Sequence, residues 1–559
     1  MGILARCAVP TIILLLLPAF AGAAPPTKGE IRDALDAGTE KLIALQRADG
    51  SWKADANEAA GFDVGATVLA VRALVEARRH TSNNAWPKLV PAIDKGLAFV
   101  VSRWPEPKTY TAGTVLPLLR WCNPGKYSKH ISMYGWMLVT GQLVAGPQAG
   151  GFGYDLVPFP KDFDATKNSI PPGNRVRGPC DNSNAQFAAL ALLAAEKSGI
   201  QIPKACWGRL QKYYLSAQHP DGGWDYQSDA FRAMGAGGAA PVPSNRNMTL
   251  ASAVSLLIAN EKVDGAAHAA CRPQPSNDAV ERGLDWLDRN FNKGAGLDAY
   301  GWWTCERLGL RSGRGEFGGV DWYDTGASQL VGPVTGGNVA GRGGNMPNLA
   351  LAILFLSAGP DRTEFLKLKR AGDWNLHPHD VAHVAEYMTD GLCGGLIRGW
   401  RVVTLDASVD DLLRAPVLWI GGHDPLKFTD AEKQKLKSYV DRGGTIVAED
   451  CCGRAEFDKS FRALVAELWP DRLLSPLPKD HEIYVHPFNN LGDYRPRILG
   501  TEAATDPDGR GVLYFPEGIS CKWERAGGND IPALSVGVNL TFYAFNRWYG
   551  RDKPAAEAE

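Results

Sequence analysis

The stretch Gln218-His219-Pro220-Asp221-Gly222-Gly223-Trp224 decides the fold of the first part of this chain, because it repeats an earlier stretch, Gln46-Arg47-Ala48-Asp49-Gly50-Ser51-Trp52. In both, a Gln is followed by a Gly at the fourth position and by a Trp at the sixth. Asp-Gly favours a turn in which Gly adopts a positive φ, and a Gln side chain can hydrogen-bond backbone groups left open at a helix end. A turn used twice at helix ends indicates a helical repeat.

Segments that are apolar on every side alternate along residues 28–358 with segments that are apolar on one face only. The first kind comprises Phe62–Glu76, Asn184–Glu196, Met248–Ile258 and Leu349–Leu356. The second kind comprises Ile31–Leu45, Ile93–Val101 and Val280–Phe291. Buried inner helices covered by half-exposed outer helices predict an α/α barrel or an α-solenoid. The irregular spacing and the Gly/Pro-rich inserts Gly146–Gly178 and Ala233–Ser244 favour the closed barrel.

After Ala358–Arg362 the pattern changes to alternating strands and helices. Strands are predicted at Phe365–Lys369, Val402–Leu405, Val417–Ile420, Thr445–Ala448 and Val512–Phe515. Helices are predicted at Val381–Met388, Asp430–Asp441, Phe457–Leu468 and Val538–Phe545. This alternation predicts a parallel α/β sheet in a second domain, over residues 363–550.

The N-terminus has the features of a signal peptide covering residues 1–23. Arg6 supplies a positive charge, Thr11–Leu17 is a short apolar run, and Ala21-Gly22-Ala23 resembles a cleavage site. The run is too short to span a membrane, and no later stretch predicts a transmembrane helix. We therefore expect an exported protein, periplasmic or extracellular, with a disordered tail at 551–559. The net charge of −1 gives no electrostatic case for binding nucleic acid.

Ten cysteines become nine once Cys7 is removed with the signal peptide. Export permits disulfides, but the spacings assign no pairing and form no metal-finger pattern.

The first domain resembles the squalene cyclase and protein prenyltransferase superfamily, and most closely the exported prenyltransferase-like repeat proteins of bacteria. Besides the two Gln/Trp turns, the residues that carry the resemblance are Asp181-Asn182-Ser183-Asn184-Ala185-Gln186-Phe187, Asn247-Met248-Thr249, Asp321-Trp322-Tyr323 and Leu351–Ser357. The resemblance implies an α/α toroid over about residues 28–358.

The second domain resembles the bacterial domain of unknown function 4159. The motifs that carry this resemblance are Gly372-Asp373-Trp374, Gly421-Gly422-His423-Asp424, Asp441-Arg442-Gly443-Gly444, Asp450-Cys451-Cys452-Gly453, Glu456-Phe457-Asp458-Lys459-Ser460-Phe461 and Gly537-Val538-Asn539. It implies a flavodoxin-like fold akin to class I glutamine amidotransferases.

The catalytic motifs of these families are missing. Squalene cyclases use an Asp-x-Asp-Asp motif, whereas the comparable Asp63-Val64-Gly65-Ala66-Thr67 lacks the second and third carboxylates. The first domain shows no convincing Asp, Cys and His set of the kind that holds Zn²⁺ in protein prenyltransferases. A Gly-x-Cys-x-Gly nucleophile elbow is excluded in the second domain because Glu449 stands where Gly is needed.

Polar residues follow several predicted strands of the second domain. These candidates for a strand-end pocket are Asp373, Trp374, His423, Asp424, Asp450, Cys451 and Cys452. Because ligands bind outside the carboxyl ends of parallel strands, such side chains can hold a transition metal or form a Cys/His nucleophile pair. The structural alternative is that Asp424 and Asp450 cap turns and that the two cysteines are small buried residues.

A second set of candidates belongs to the mouth or cavity of the predicted toroid: Asp181, Asn182, Asn184, Trp302, Trp303, Glu306, Arg307, Trp322 and Tyr323. Asn and Asp at the start of a buried helix can bind a polar ligand, and aromatic rings suit a sugar or an isoprenoid chain. The alternatives are helix capping, core packing and a structural ion pair.

The sequence thus favours an exported binding or scaffold protein that keeps a toroid cavity and lacks cyclase chemistry. An alternative is an enzyme that acts on an isoprenoid or glycan in that cavity, which two acidic residues facing each other would favour. In a third possibility the second domain is the functional part. The sequence identifies no cofactor.

Overall fold

A computed structural model describes residues 25–54, 63–161, 173, 175, 178, 180–227, 242–272, 274–341, 344–359, 362–391, 398–489, 491–501, 511–525 and 530–550. The predicted signal peptide, the predicted tail at 551–559 and residues 233–241 of the second Gly/Pro-rich insert lie outside these ranges, in addition to other short gaps. Within them, no helix combines the length and the apolar character needed to cross a lipid bilayer.

The first part of the chain is helical, as predicted. Its helices are α1 (Lys28–Ala44), α2 (Asp63–Ala77), α3 (Trp86–Ser102), α4 (Thr109–Cys122), α5 (Ser128–Gly141), α6 (Asn182–Lys197), α7 (Lys204–Ala217), α8 (Arg246–His268), α9 (Pro275–Asn290), α10 (Ala299–Ser312), α11 (Trp322–Gly336) and α12 (Asn345–Ala358). A short hairpin, β1 (Glu316–Phe317) and β2 (Val320–Asp321), precedes α11.

Six of these helices contact one another in a cycle. Helix α2 packs on α4, α4 on α6, α6 on α8, α8 on α10, α10 on α12, and α12 back on α2. The others cover them: α3 lies on α2, α5 on α4, α7 and α9 on α8, and α1 and α11 on α12. The segments predicted to be apolar on every side fall in helices of the cycle, and the segments with a one-sided stripe fall in covering helices.

The two Gln/Trp turns have the same hydrogen bonds. Gln46 Nε2 donates to Gly50 O (3.0 Å) and to Ala92 O (2.9 Å), and Gln218 Nε2 donates to Gly222 O and Ala279 O (both 2.8 Å). The indole of Trp52 donates to Leu42 O (2.8 Å), as that of Trp224 does to Tyr214 O (2.9 Å). Each Gln therefore ties its own turn to the next covering helix.

The structure contains a third turn of this kind, which the comparison of the two Gln/Trp stretches did not predict. Gln142 Nε2 donates to Gly150 O (3.2 Å) and to Cys206 O (3.1 Å) in α7. Gly150 has a φ of +100°, like Gly50 (+88°) and Gly222 (+96°). The buried Phe152 takes the place of the Trp. The motif was hidden because the loop between Gln and Gly is longer and the aromatic residue differs.

We expect Gly222→Ala to lower the free energy of unfolding by roughly 2–3 kcal/mol. A Cβ at Gly222 would lie 2.6 Å from Arg282 O, at a φ that L-residues rarely adopt. Chemical denaturation measures the change. Gly208→Ala in α7 is the matched control, because a Cβ there meets nothing within 4 Å; it should be neutral or stabilising, and an equal loss in both variants would contradict the argument.

The second part is built on a seven-stranded sheet in the order β4-β3-β5-β6-β9-β8-β7. The strands are β3 (Arg362–Leu368), β4 (Arg398–Val403), β5 (Val417–Gly422), β6 (Thr445–Asp450), β7 (Ser475–Pro476), β8 (Leu499–Gly500) and β9 (Val512–Phe515). Strands β3, β4, β5, β6 and β9 are parallel, as predicted, whereas β8 pairs antiparallel with both β7 and β9. The antiparallel edge was not predicted because β7 and β8 have only two residues each.

Helices cover both faces of this sheet, which has an apolar core on each side. They are α13 (Asp380–Gly391), α14 (Val409–Leu412), α15 (Asp430–Asp441), α16 (Ala455–Leu468), α17 (Ser520–Arg525) and α18 (Ile531–Gly550). The two parts touch where α17 packs on α8 and β4 packs on α10. Val402 N donates to Gly313 O (2.8 Å) at this contact. The junction brings the end of α8 close to the carboxyl ends of β5 and β6.

Candidate metal centre at the domain junction

Three cysteine sulfurs from the two parts of the chain converge at this junction. Cys271, just after α8, has its Sγ 3.4 Å from Cys451 Sγ and 3.5 Å from Cys452 Sγ. The sulfurs of Cys451 and Cys452, which follow β6, are 3.8 Å apart. All three distances are too long for a disulfide bond of about 2.05 Å. They form a triangle of thiols contributed by both domains.

The backbone at two of these cysteines is in the left-handed region. Cys271 has a φ of 55° and Cys452 a φ of 64°, and Asn292 is the only other non-glycine residue with positive φ in the described part of the chain. Such conformations cost energy and persist where the surrounding structure enforces them, often at functional sites. The turn after β6 is held by Asp450, whose Oδ1 accepts the Arg454 N–H (2.6 Å). The sulfur positions therefore depend on a backbone that an ordinary turn would not adopt.

His423, directly after β5, directs its ring at the thiols. One of its ring nitrogens lies within 4.8 Å of all three sulfurs. Nδ1 lies 3.4 Å from Asp373 Oδ2, and the His423 backbone N–H donates to the same carboxylate oxygen (2.7 Å). Nε2 is buried and has no hydrogen-bond partner in the described structure. A carboxylate behind one imidazole nitrogen, with the other free, is the usual arrangement of a metal-ligating histidine.

His377 forms a second contact with the sulfurs. Its Nε2 lies 3.1 Å from Cys451 Sγ and 3.5 Å from Cys271 Sγ. The segment is anchored because the buried Lys367 donates to His377 O (2.6 Å) and to Asp380 Oδ1 (2.7 Å). An imidazole N–H at these distances can donate to a thiolate and stabilise its charge.

The thiols share negative charge unequally. Hydrogen bonds from Cys451 and His377 lower the pKa of Cys271 below that of an ordinary thiol. The hydrogen bond with the Cys271 sulfur and burial raise the pKa of Cys451, and burial raises that of Cys452. One thiolate is thus favoured, while its charge opposes ionisation of the other two. A bound dication removes this opposition, because a coordinating thiol is deprotonated outright.

The other predicted strand-end residues support the pocket or lie beside it. Asp373 holds His423 as described, and its Oδ1 accepts the Asp424 N–H (3.0 Å). Asp424 packs against the Gly372 turn, and Trp374 lines a larger cleft. Asp450 caps the turn after β6, and burial raises its pKa to about 6. Of the predicted set, His423, Cys451 and Cys452 face one another directly.

The candidates of the helical part fall into separate groups, and most of them make capping or packing contacts. Asp181 caps α6 through the Asn184 N–H (2.8 Å), and Asn182 Nδ2 donates to Asp225 O (2.7 Å). Trp322 Nε1 donates to Arg314 O (2.7 Å), and Tyr323 OH donates to Leu356 O (3.0 Å). Trp302 packs on Phe291 and Phe355. These contacts are those of caps and core packing.

Trp303 and Arg307 line a cavity of about 240 Å³ that α13 covers, as does Glu76. Glu306 is fully buried beside Arg307, outside the lining of this cavity. Arg72 and Arg307 lie over the Trp303 ring. Arg307 Nη2 is 3.0 Å from Glu306 Oε1 and 3.7 Å from Glu76 Oε2. Burial raises the pKa of Glu306 to about 8. Burial also raises that of Glu76, but Arg72 and Arg307 outweigh it, and the net shift is downward.

Two contributors to the thiol cluster were not predicted. Cys271 belongs to the helical part, and no pattern within the sequence pairs it with a strand end in the other domain. His377 was detectable in principle, because His377, His379 and His383 cluster within a short segment after β3.

A comparison with known protein families supports the resemblance predicted for the second domain. Residues 364–545 match the family model described as a domain of unknown function, DUF4159. No curated protein matches the chain.

Proposed function

We propose that this protein is a binding or scaffold protein whose two domains are joined by a transition-metal ion, with Zn²⁺ as the best fit, held by Cys271, Cys451, Cys452 and His423. The observation that carries the proposal is the convergence of three sulfurs from both domains with the unpartnered Nε2 of His423.

The distances support a tetrahedral ion. Zn–S bonds of about 2.3 Å at tetrahedral angles place sulfurs about 3.8 Å apart, close to the 3.4, 3.5 and 3.8 Å between these sulfurs. Three thiolates and one imidazole form a closed Cys₃His set, which is typical of structural zinc. His377 supplies a hydrogen bond to the sulfurs from outside this set, as such centres commonly require.

The first test is elemental analysis of the purified full chain. We expect about one equivalent of metal to be lost in a Cys451→Ser/Cys452→Ser variant and retained in Cys122→Ser, the control for a half-buried cysteine outside the cluster. Mass spectrometry after alkylation of free thiols tests the competing outcome, a disulfide among these cysteines. A disulfide among the three cysteines in the native protein, or equal metal in all three proteins, would overturn the proposal.

We further infer that the helical part is an α/α toroid and the second domain a flavodoxin-like fold. The closed cycle α2-α4-α6-α8-α10-α12 and its covering layer support the first assignment. The parallel strands support the second, because β4-β3-β5-β6-β9 is the order 2-1-3-4-5 of flavodoxin-like sheets. In this proposal the protein is exported, and the cavity beneath α13 holds a lipid, isoprenoid or glycan ligand without squalene cyclase or prenyltransferase chemistry.

Glu76, which lines that cavity, and Glu306, buried behind Arg307, favour a second candidate, an enzyme acting on an isoprenoid or glycan there. Two carboxyl groups whose surroundings drive their pKa values apart are a feature of acid and base pairs in active sites. Turnover of a prenyl diphosphate, squalene or oligosaccharide by the native chain, lost in Glu306→Gln, would establish this function in place of simple binding. No turnover with any of them would leave binding as the function.

A further inference from the structure

A second group of metal-ligating side chains lies buried at the same junction, apart from the thiols. His268 ends α8, His379 directly precedes α13, and Glu524 belongs to α17. All three are at most 3% exposed. Their ligand atoms lie within 4.8 Å of one another. One residue comes from the helical domain and two come from the α/β domain.

The carboxylate of Glu524 is fixed between the two imidazoles. Its Oε1 lies 2.8 Å from His379 Nδ1 and 3.5 Å from His268 Nδ1. Its Oε2 accepts the backbone N–H of His379 (2.7 Å). His379 thus makes a hydrogen bond to Glu524, but His268 Nδ1 makes none in the described structure. A buried ring nitrogen that faces a carboxylate without bonding it is costly unless something else satisfies it.

The surroundings orient both imidazoles toward Glu524. His268 Nε2 lies 3.1 Å from the side-chain amide of Asn277. The nearer amide atom is Nδ2, which donates to Nε2, so the proton of neutral His268 is on Nδ1 and faces Glu524. A metal ion at Nδ1 takes the place of this proton, which leaves to the buffer, and a turn of the Asn277 amide then lets its oxygen accept from Nε2–H. The His379 ring stacks on His383, whose Nδ1 donates to Trp523 O (2.8 Å). Each ring is therefore held in place by a neighbour that is not itself a ligand.

We propose that His268, His379 and Glu524 form a second transition-metal site with two nitrogen ligands and one oxygen ligand. Ligands at about 2.0–2.1 Å from a zinc-like ion lie about 3.4 Å apart, which matches the 3.5 Å between His268 Nδ1 and Glu524 Oε1. The 2.8 Å contact of His379 lengthens by less than an ångström when its Nδ1 proton leaves to the buffer and the ion takes its place. Three protein ligands leave one coordination position for water or a small anion, unlike the closed thiol centre.

The two sites differ in their donor atoms, so Co²⁺ distinguishes them. Cobalt bound by thiolates absorbs in the near ultraviolet through sulfur-to-metal charge transfer, whereas cobalt bound by two imidazoles and a carboxylate does not. The second site can be tested independently of the thiol centre, because a separate variant removes the ligands of each site.

The experiment loads the full-length protein, freed of metal, with Co²⁺ and measures stoichiometry and spectrum. We expect two equivalents in the native chain and one in Glu524→Gln, with the charge-transfer band unchanged in that variant. Cys451→Ser/Cys452→Ser should lose the band and keep the other equivalent. His130→Ala, which removes a half-buried histidine bonded to Val101 O (3.0 Å), should keep both.

His379→Asn provides a second variant, in case the loss of the Glu524 charge disturbs folding. It should also lose one equivalent while melting as a folded protein. A Co²⁺ content in Glu524→Gln and in His379→Asn equal to that of the native chain would show that these residues form only a hydrogen-bonded junction, and would overturn the second site. If the Co²⁺-loaded native chain shows no charge-transfer band, the result counts against the thiol centre and not against the second site.

Discussion

Removing the metal from the thiol centre is expected to loosen the domain junction and to lower the melting temperature of the α/β domain by about 10 °C. Saturating metal at a thousand times its dissociation constant stabilises a folded protein by about 4 kcal/mol. In a unit of the size of the α/β domain, whose family match covers residues 364–545, each kcal/mol shifts the melting temperature by about 2–4 °C. The effect should be concentrated at the junction, because Cys271 is the ligand that the helical domain supplies. Without the ion, three sulfurs at mutual distances of 3.4–3.8 Å compete for negative charge and repel one another when ionised.

Hydrogen exchange with and without a chelator measures this. We expect faster exchange at the end of α8 and at the turn after β6, and full recovery when Zn²⁺ is added back. Cys451→Ser/Cys452→Ser should already show the loosened state and should not respond further to chelator, since the same interaction cannot be removed twice. Cys122→Ser should respond like the native chain. Unchanged exchange and melting in chelator would contradict a structural role for the ion.

The stability of the helical domain is expected to fall as the pH rises from about 5 to 8, and Glu306→Gln is expected to abolish most of this fall. Burial raises the pKa of Glu306 to about 8 from the ordinary value of 4.5. Between these values the folded state keeps the proton that the unfolded state releases, so each rise in pH favours unfolding. At about 1.4 kcal/mol per pH unit, the upper limit over this window is roughly 4 kcal/mol.

Denaturant titrations at pH 5, 6.5 and 8 test this expectation. Glu40→Gln is the control, since Glu40 is an exposed partner of Lys88 (2.7 Å) and should leave the pH profile unchanged. Glu76→Gln should act with the opposite sign. The pKa of Glu76 is lowered, so its ionised form stabilises the fold above pH 4.5 and this contribution is lost as the pH falls. If the free energy of unfolding of Glu306→Gln falls with pH as steeply as that of the native protein, Glu306 is not the source of the pH dependence.

Buried charge at this cavity matters for both candidate functions. Glu306 has both carboxyl oxygens buried without a hydrogen bond in the described structure, although Arg307 lies beside it. Such an arrangement is costly for stability. Arg307 lines the cavity and Glu306 lies behind it, so the protonation state of Glu306 acts on a ligand there through Arg307.

Local patterns along the chain predicted the fold class well. The alternation of all-round and one-sided apolar segments indicated a helical first part with inner and covering helices, and the alternation after Ala358 indicated the mostly parallel sheet. Both features are confirmed at that level, and the family match at 364–545 confirms the second resemblance. The third Gln turn and the short antiparallel strands were missed, because a longer loop and two-residue strands leave no periodic signal.

The candidate site could be predicted only in part. Motifs after β5 and β6 indicated His423, Cys451 and Cys452, because parallel strands present their carboxyl ends at one edge. That edge continues in Cys271, which lies 180 residues before Cys451 in the chain and in the other domain. The helical candidates Asp181, Asn182, Asn184, Trp302, Trp322 and Tyr323 remain predictions as ligand-binding residues, and their observed contacts are those of caps and packing.

The sequence by itself determined what local interactions control: which segments are helices or strands, which faces are buried, and where the Gln turns tie helices together. Only the tertiary structure decided which chemistry the side chains share, because the docking of one domain on the other depends on the whole surface of both. That docking places Cys271 against Cys451 and Cys452, and His268 against Glu524. Each of the two metal-site proposals therefore depends on a contact between residues far apart in the chain.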